Sequence, residues 1–204
     1  MFHVKRGPFH VSRETHERLK QFANLLENWS GTVNLISQKD RDAIWDRHIN
    51  DSLQLVPLLR PDVATAIDLG SGGGFPGLVL AIATGIRFDL IESDQRKAAF
   101  LREAVRATAA TARVHAARIE AAELAPTRLI TARALAPLPE LLALAAPHLV
   151  PEGDCLFLKG ASVDAELTEA RKQWHMNVES FPSQTATGSA ILRISELSRA
   201  ASAA

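Results

Sequence analysis

The sequence predicts an α/β protein whose core is a mostly parallel sheet, and three observations support this fold class. Short apolar segments alternate with amphipathic segments from residue 65 onward, a pattern typical of parallel strands joined by helices. A glycine-rich stretch at residues 70–77 lies between the first apolar segment and an apolar helical segment. The last two apolar segments have no helical segment between them. We therefore expect a Rossmann-like sheet that ends in an antiparallel hairpin.

Two helices are expected ahead of the sheet. The first follows Ser12, a suitable N-cap. Its apolar positions recur with helical spacing at Leu19, Phe22, Leu25, Leu26 and Trp29. A second helical pattern begins near Asp40 or Arg41 and ends before Pro57. Together they predict a helical extension, residues 1–60, packed on the core.

Seven strands and four helices are expected in the core, residues 61–199, whereas the Ala/Ser-rich end at 200–204 is expected to fray. The predicted strands are Thr65–Leu69, Arg87–Ile91, Ala112–Ala116, Leu129–Arg133, Asp154–Lys159, Asn177–Phe181 and Ala190–Ile194. The predicted helices are 77–83, 94–109, 138–148 and 163–174.

Composition excludes several classes of protein. The 204 residues contain no apolar run long enough to span a bilayer, so no membrane segment is expected. The N-terminus lacks the apolar core of a signal peptide, which favours a cytoplasmic location. Cys155 is the only cysteine, which excludes an internal disulfide and a cysteine-cluster metal site. The seven histidines show no metal-binding spacing, so we expect no metal.

Residues 66–77, with the sequence AIDLGSGGGFPG, predict a loop that holds a nucleotide-like cofactor. Glycines let the backbone adopt positive φ and let a ligand contact the main chain. Pro76 favours a helix start after this loop, where free N–H groups favour an anionic ligand group. The expected cofactor contacts in the loop are Gly70, Gly72 and Gly74.

Two cofactors fit this loop. The residues from Gly72 to Gly77 satisfy the dinucleotide fingerprint G-x-G-x-x-G, with Glu92 as the ribose-binding acid, so an NAD-binding oxidoreductase is one alternative. S-adenosylmethionine (SAM) is favoured because Asp68 would repel a pyrophosphate but suits the ammonium of a methionine group, directly or through water. Moreover, Gly70 begins the usual methyltransferase pattern, D-x-G-x-G-x-G. We therefore predict the Rossmann-like fold of SAM-dependent methyltransferases.

The ends of the later strands predict further contacts, because ligands of open α/β sheets bind beyond the carboxyl ends of the strands. Glu92 follows the second strand and is suited to accept both ribose hydroxyls, with Ser93 beside the adenosine. Ile119 and Glu120 follow the third strand and would border the adenine. Arg133 ends the fourth strand, and its planar fork suits a cofactor carboxylate or an RNA phosphate.

Charge is unevenly distributed although the formal net charge is zero. Residues 96–133 hold eight basic side chains against three acidic ones, whereas residues 51–95 hold two against six. Such segregation creates a basic face suited to RNA, although solvated helix faces would give the same count. The candidates for RNA contacts are Arg47, His48, Arg96, Lys97, Arg102, Arg106 and Lys159.

Several segments together resemble a known family. They are Trp29-x-x-x-x-Asn34-Leu35, Arg47-His48-Ile49-x-Asp51-Ser52, the loop at 68–77, Glu92-Ser93-x-x-Arg96-Lys97, Arg118-Ile119-Glu120, Arg133-Ala134 and Leu158-Lys159-Gly160. In order and spacing they are similar to the bacterial small-subunit rRNA guanine-N7 methyltransferases of the RsmG (GidB) family. The Gly-Phe-Pro-Gly extension and the Arg-His-x-x-Asp-Ser segment are the most specific parts of this resemblance.

The resemblance implies SAM-dependent methylation of guanine N7 in the 530 loop of 16S rRNA, at the guanine 527 position. The rRNA partner would be part of the small ribosomal subunit or of an assembly intermediate. Cofactor contacts are implied at the positions that match Gly70, Phe75, Ile119, Glu120 and Arg133. The alternatives are methylation of another RNA or of a small molecule or protein, and a catalytically silent RNA-binding protein.

Methyl transfer to N7 needs little acid–base chemistry, because N7 of the neutral base already carries a lone pair. Orientation and effective concentration can lower such a barrier by about 7–11 kcal/mol. The guanine must be unpaired or splayed from its loop to reach the cofactor. We therefore predict a positioning mechanism with no dedicated catalytic base.

Overall fold

The computed structural model describes Phe9 and residues 11–200, which form a central sheet with flanking helices. The strands are β1 (Thr65–Leu69), β2 (Arg87–Ile91), β3 (Ala112–His115), β4 (Thr127–Arg133), β5 (Leu149–Lys159), β6 (Trp174–Pro182) and β7 (Ala190–Arg199). The α-helices are α1 (Arg13–Trp29), α2 (Asn50–Leu53), α3 (Gly77–Thr84), α4 (Gln95–Thr108), α5 (Leu138–Ala145) and α6 (Val163–Ala170). Predictions for residues 1–8, 10 and 201–204, including most of the end that was expected to fray, lie outside the described residues.

The strand order is β3-β2-β1-β4-β5-β7-β6, which confirms the predicted fold class. β1 pairs in parallel with β2 and β4, and parallel pairing continues to β3 and β5. β7 runs antiparallel between β5 and β6. The carboxyl ends of β1, β2, β4 and β5 therefore meet at one edge of the sheet, where ligands of such sheets bind.

All seven predicted strands are present, and the last four extend beyond their predicted ends. The largest difference is in β5, which begins at Leu149 instead of Asp154. The intervening Pro151 and Gly153 predicted a break, because both residues are unfavourable in strands. The structure accommodates them through an irregular register between β4 and β5, which shifts between Thr127 and Leu129.

Two predicted helices are shorter as α-helices than expected. The helix predicted at 138–148 ends at Ala145 and continues as a 3₁₀ turn at Ala146–His148, because Pro147 cannot continue an α-helix. The helix predicted at 163–174 ends at Ala170 and is followed by turns. Within the described part of the chain, no helix combines the length and the apolar character that a membrane crossing requires.

The first N-terminal helix is confirmed as α1. The hydroxyl of Ser12 accepts a hydrogen bond from the backbone N–H of Thr15, as expected of an N-cap. Phe22, fully buried on the inner face of α1, contacts two core aromatics, with ring centroids 5.3 Å from Phe75 and 6.3 Å from Phe100. The helical extension thus shares one apolar core with the sheet and with α3 and α4.

The second N-terminal helix is not continuous, which corrects the prediction. It consists of a 3₁₀ turn (Gln38–Ala43), a π-helical turn (Trp45–Ile49), α2 and a second 3₁₀ turn (Val56–Leu58). In the π-helical turn the N–H of Asn50 donates to the carbonyl of Trp45, which widens the turn by one residue. Ile49 and Leu53 stay in the core, while His48 and Asp51 line the edge of the sheet that binds ligands.

Candidate active site

A cleft of about 990 Å³ opens at the carboxyl ends of β1, β2, β4 and β5. Its walls are the glycine loop, the segments that follow β2, β3, β4 and β5, the N-terminal extension, and the loop between β6 and β7. A volume of this size suits a cofactor-sized ligand. Most of the site residues predicted from the sequence line this cleft.

The glycine loop contributes its main chain to the cleft. Gly70 lies at the cleft surface with φ of +63°, a conformation that favours glycine. A Cβ atom at this position would lie only 2.6 Å from Cδ1 of Leu135. Gly72 also lines the cleft, and its N–H donates to Oε2 of Glu92 over 2.8 Å.

Gly74 faces the protein interior, although a cofactor contact was predicted for it. A Cβ atom on Gly74 would lie 3.1 Å from Cζ of Phe22 and 3.2 Å from Cβ of Leu78. Its φ of +92° also requires glycine. The close approach of α1 and α3 to the loop therefore explains this glycine better than a ligand contact does.

Asp68 is fully buried and does not line the cleft, which differs from the predicted ligand contact. Its Oδ1 accepts a hydrogen bond from the hydroxyl of Thr131 over 2.6 Å, while Oδ2 has no hydrogen-bond partner among the described residues. Gly77, the first residue of α3, covers the carboxylate: a Cβ there would lie 2.4 Å from Cβ of Asp68. Burial raises the pKa of Asp68 to about 6, against the hydrogen bond from Thr131.

We expect the stability difference between Asp68→Asn and the wild-type protein to change with pH. The folded-state pKa of Asp68, about 6, lies above its ordinary value of 3.8, so the folded protein keeps a proton that the unfolded chain releases. Stability from this group is therefore lost as pH rises from 3.8 to 6, by about 2–3 kcal/mol, and is constant above. Asparagine has no such proton, so the variant should gain stability relative to wild type over this range.

Urea denaturation of both proteins at about pH 4 and about pH 7.5 measures this change. A stability difference between Asp68→Asn and wild type that stays the same at both pH values would contradict the assigned protonation of Asp68.

Glu92 connects the end of β2 to the glycine loop. One carboxylate oxygen accepts from the N–H of Gly72 and the other from the N–H of Asp94, both over 2.8 Å. Each oxygen can accept a second hydrogen bond, as binding of ribose hydroxyls would require. Ser93 is exposed on the same wall of the cleft.

Ile119 and Glu120 lie in a 3₁₀ turn, Ile119–Ala121, that follows β3. Both residues line the cleft. Ile119 is almost fully buried and adds apolar surface, whereas Glu120 is exposed at the rim. An apolar side chain beside exposed loop backbone suits a flat heteroaromatic ring.

Arg133 is held at the tip of β4 by the N-terminal extension. Its Nη1 donates to the carbonyl of Arg47 (3.2 Å), to Nδ1 of His48 (2.9 Å) and to Oδ2 of Asp51 (3.3 Å). The guanidinium carbon lies 4.9 Å from the centre of the Phe75 ring, a cation–π distance. Phe75 itself is 4% exposed, so it supports Arg133 and His48 more than it offers surface to a ligand.

His48 is buried and neutral, which makes a phosphate contact unfavourable for it. Burial and the neighbouring Arg133 lower the pKa of His48 to about 4. Its ring stacks on Phe75, with centroids 5.0 Å apart. Because Nδ1 accepts from Arg133, the proton of the neutral ring lies on Nε2. His48 therefore serves as a support for Arg133.

Three other predicted RNA contacts, Arg47, Lys97 and Lys159, lie at the cleft but differ in exposure and pairing. Lys97 lines the cleft, and Arg47 is exposed at its rim, with Nε 3.7 Å from Oδ1 of Asp40. Lys159 also lines the cleft, but it is almost fully buried and its Nζ contacts Oε2 of Glu166 at 2.5 Å. A buried ammonium group that already pairs with a carboxylate is a poor phosphate ligand, which corrects the role predicted for Lys159.

The remaining candidates lie on α4 outside the cleft lining. Arg96 donates to the carbonyl of Thr32, and Arg106 pairs with Glu103 at 3.4 Å. Arg102 is exposed and faces solvent. These three arginines therefore belong to the protein surface outside the walls of the cleft.

Arg118, which was expected to border the adenine together with Ile119 and Glu120, is exposed at the rim of the cleft. Other lining residues were not predicted as contacts: Leu135 packs on Gly70, and Asp40 and Thr185 line the side of the cleft next to the N-terminal extension. Leu135 and Thr185 had no signal in the sequence, because each is an ordinary loop residue. Among residues 11–200, no cluster of three or more His, Cys, Asp or Glu side chains is arranged to hold a metal ion.

A sequence model of one protein family matches most of the chain. The family is GidB, described as rRNA small subunit methyltransferase G, and the match covers residues 15–191. A relative from Gluconobacter oxydans, named ribosomal RNA small subunit methyltransferase G, is 57% identical over 189 residues, or 93% of this chain and 97% of the relative. A relative of the same name from Acidiphilium cryptum is 58% identical over 206 residues, or 94% of this chain and 95% of the relative.

Solved structures of low sequence identity share the fold. An O-methyltransferase from Bacillus cereus in complex with SAH has a TM-score of 0.58 at 11% identity, over 93% of each chain. A TehB-like SAM-dependent methyltransferase from Corynebacterium glutamicum has a TM-score of 0.59 at 16% identity, over 87% of this chain and 98% of the other.

Proposed function

The chain belongs to the GidB family, the rRNA small subunit methyltransferases G, and from this we propose that it methylates N7 of a guanine in the 530 loop of 16S rRNA. It is a SAM-dependent methyltransferase of small-subunit ribosomal RNA. The finer assignment to the guanine 527 position follows the family resemblance of the loop at 68–77 and of the Arg47–Ser52 segment. Because its substrate is ribosomal, we expect the protein to act in the cytoplasm on an assembling or complete small subunit.

The residues of the cleft fit SAM. Gly70 leaves a backbone cradle that a Cβ would fill, since such an atom would contact Leu135 at 2.6 Å. Glu92 has acceptor capacity for the ribose, and Ile119 offers apolar surface for the adenine. Arg133 uses Nη1 for protein contacts, while Nε and Nη2 have no partner among the described residues. We propose that these two nitrogens bind the carboxylate of the methionine group.

When bound, SAM would supply a methyl group on a positively charged sulfur. Its transfer to the lone pair of guanine N7 would leave a neutral thioether and a positively charged purine, and would require no proton removal. The chain's residues thus act by orientation, as the positioning mechanism requires.

The rim of the cleft supplies cations for the RNA backbone. Lys97 and Arg118 line the cleft, and neither pairs with a carboxylate of the described residues. Arg47 lies at the rim beside the N-terminal extension and is 59% exposed. Cations at the mouth of a cleft attract phosphates, and Lys97 and Arg118, which have no carboxylate partner among the described residues, do so at the smallest desolvation cost. We propose that these three side chains contact the rRNA backbone.

Replacing Lys97 and Arg118 together with alanine should weaken RNA binding and reduce its salt dependence. For each phosphate that a variant no longer neutralises, the slope of log K against log salt should fall by about one. Filter binding of a 16S fragment that contains the 530 loop, at several salt concentrations, measures both effects. Lys20→Ala is the control, because Lys20 is an exposed lysine of α1 outside the cleft lining. An unchanged slope in the double variant would exclude these contacts.

The proposed function is tested by mass spectrometry of 16S rRNA from cells with and without this protein. We expect loss of one 7-methylguanosine from the fragment that carries the 530 loop, and its return when the purified protein and SAM are added. Parallel reactions with free 16S rRNA and with small subunits identify the form of the substrate. An unchanged 7-methylguanosine content would overturn the assignment.

A further inference from the structure

Asp51 connects three parts of the cleft through one carboxylate. It lies on α2 of the N-terminal extension and its side chain is only 14% exposed. Oδ2 accepts from Nη1 of Arg133 over 3.3 Å, while Oδ1 accepts from the hydroxyl of Thr185 over 2.6 Å. Oδ1 also accepts from Nε2 of Gln54 over 2.7 Å. The tip of β4 and the loop between β6 and β7 are therefore both attached to this helix.

Gln54 strengthens the attachment of the loop. It is 3% exposed, and its Oε1 accepts from the backbone N–H of Gln184 over 3.0 Å. The loop is closed internally by Ser183, whose hydroxyl accepts from the N–H groups of Thr185 and Ala186, each over 3.2 Å. Four residues of this loop, Ser183, Thr185, Ala186 and Ser189, line the cleft.

Arg133 depends on Asp51 for its charge balance. Asp51 is the carboxylate within ion-pair distance of Arg133 among the described residues. The other acceptors of Nη1 are a carbonyl and a neutral imidazole, which provide geometry but no negative charge. Because the side chain of Arg133 is 19% exposed, water screens this ion pair less than a surface pair. The other two guanidinium nitrogens, Nε and Nη2, have no hydrogen-bond partner among the described residues.

We propose that Asp51 is a positioning residue that sets the Arg133 guanidinium for the cofactor carboxylate and fixes the loop between β6 and β7 as a wall of the cleft. This inference rests on the proposed function, in which Arg133 binds SAM. A residue that only stabilises the fold would lower the melting temperature without changing how Arg133 contributes to SAM affinity. If Asp51 acts on SAM affinity by positioning Arg133, its effect on SAM affinity should disappear once Arg133 is replaced.

Calorimetric titration of SAM into four proteins tests the proposal: wild type, Asp51→Asn, Arg133→Lys and the double variant. Asp51→Asn places an amide beside Arg133 and should weaken SAM binding about tenfold. Arg133→Lys keeps the charge but loses the fork, and should weaken binding at least as much. The double variant should bind no more weakly than Arg133→Lys. Additive losses in the double variant would overturn the proposal.

Thr185 provides a second test that leaves Asp51 intact. Thr185→Val removes the hydroxyl that donates a hydrogen bond to Asp51, and it should lower kcat for rRNA methylation about threefold. Thr185→Ser keeps a hydroxyl and should retain the wild-type kcat. Thr168→Val is the control, because the hydroxyl of Thr168 donates to the backbone carbonyl of Asp164 on the exposed side of α6. Equal activity of Thr185→Val and Thr168→Val would overturn the role of the loop. If wild type itself did not bind SAM, the proposed function would fail instead, so the two failures are distinguishable.

Discussion

Gly70→Ala should lower the rate of rRNA methylation about 100-fold, because the new Cβ enters the part of the cleft where main chain meets the cofactor. The added atom would lie 2.6 Å from Cδ1 of Leu135. Leu135 must then move, and because it lines the cleft, its movement should change the shape of the cofactor site. SAM affinity measured by calorimetry should fall together with the rate, since both depend on the same cradle.

Backbone strain at Gly70 must be separated from this loss of function. Gly70 has φ of +63°, so alanine there also costs about 1–2 kcal/mol of stability. Gly85→Ala carries the same type of strain, because Gly85 has φ of +75°, but nothing lies within 4 Å of its added Cβ. Gly85 caps α3 away from the cleft, so its variant should lose stability and keep full activity. Equal activity losses in both variants would show that strain alone inactivates the protein.

The sheet could be predicted from the sequence because its strands are short apolar segments that local chemistry separates clearly. β1 and β2 have the predicted ends, and the glycine loop and the start of α3 follow β1 as expected. The π-helical turn at Trp45–Ile49 could not be predicted, since its apolar positions also fit an ordinary helix. Its geometry is set by tertiary contacts that hold Ile49 in the core and His48 against Phe75.

The residues of the candidate site could be predicted better than their roles. Glu92, Ile119 and Arg133 line the cleft because each follows a strand at its carboxyl end. The position of a residue in a strand does not show how deeply its side chain is buried at that edge. For this reason Asp68 was predicted to contact the ligand, whereas the structure buries it. Asp68 precedes the last residue of β1 and points beneath α3, where Thr131 is its hydrogen-bond donor. Lys159 also differs from its predicted role as an RNA contact, because its ammonium group forms an ion pair with Glu166 of α6.

Gly77→Ala should destabilise the folded protein by about 2–3 kcal/mol, although alanine is the better helix former. The added Cβ would lie 2.4 Å from Cβ and 2.6 Å from Cγ of Asp68. Asp68 cannot yield, because it is fully buried in β1, and β1 pairs on both sides with β2 and β4. The overlap therefore outweighs the gain of about 1 kcal/mol in helix propensity. The first turn of α3 must shift instead, and the glycine loop moves with it.

Thermal unfolding measures this effect, with an expected decrease in melting temperature of about 5–10 °C. Gly160→Ala is the matched control, because no atom lies within 4 Å of its added Cβ and its backbone is not in the left-handed region. Its stability should stay within about 0.5 kcal/mol of wild type. If Gly77→Ala and Gly160→Ala had the same melting temperature, the contact between Asp68 and the start of α3 would be looser than the structure describes. The raised pKa of Asp68 would then lose its physical cause, because that pKa depends on the same close cover over the carboxylate.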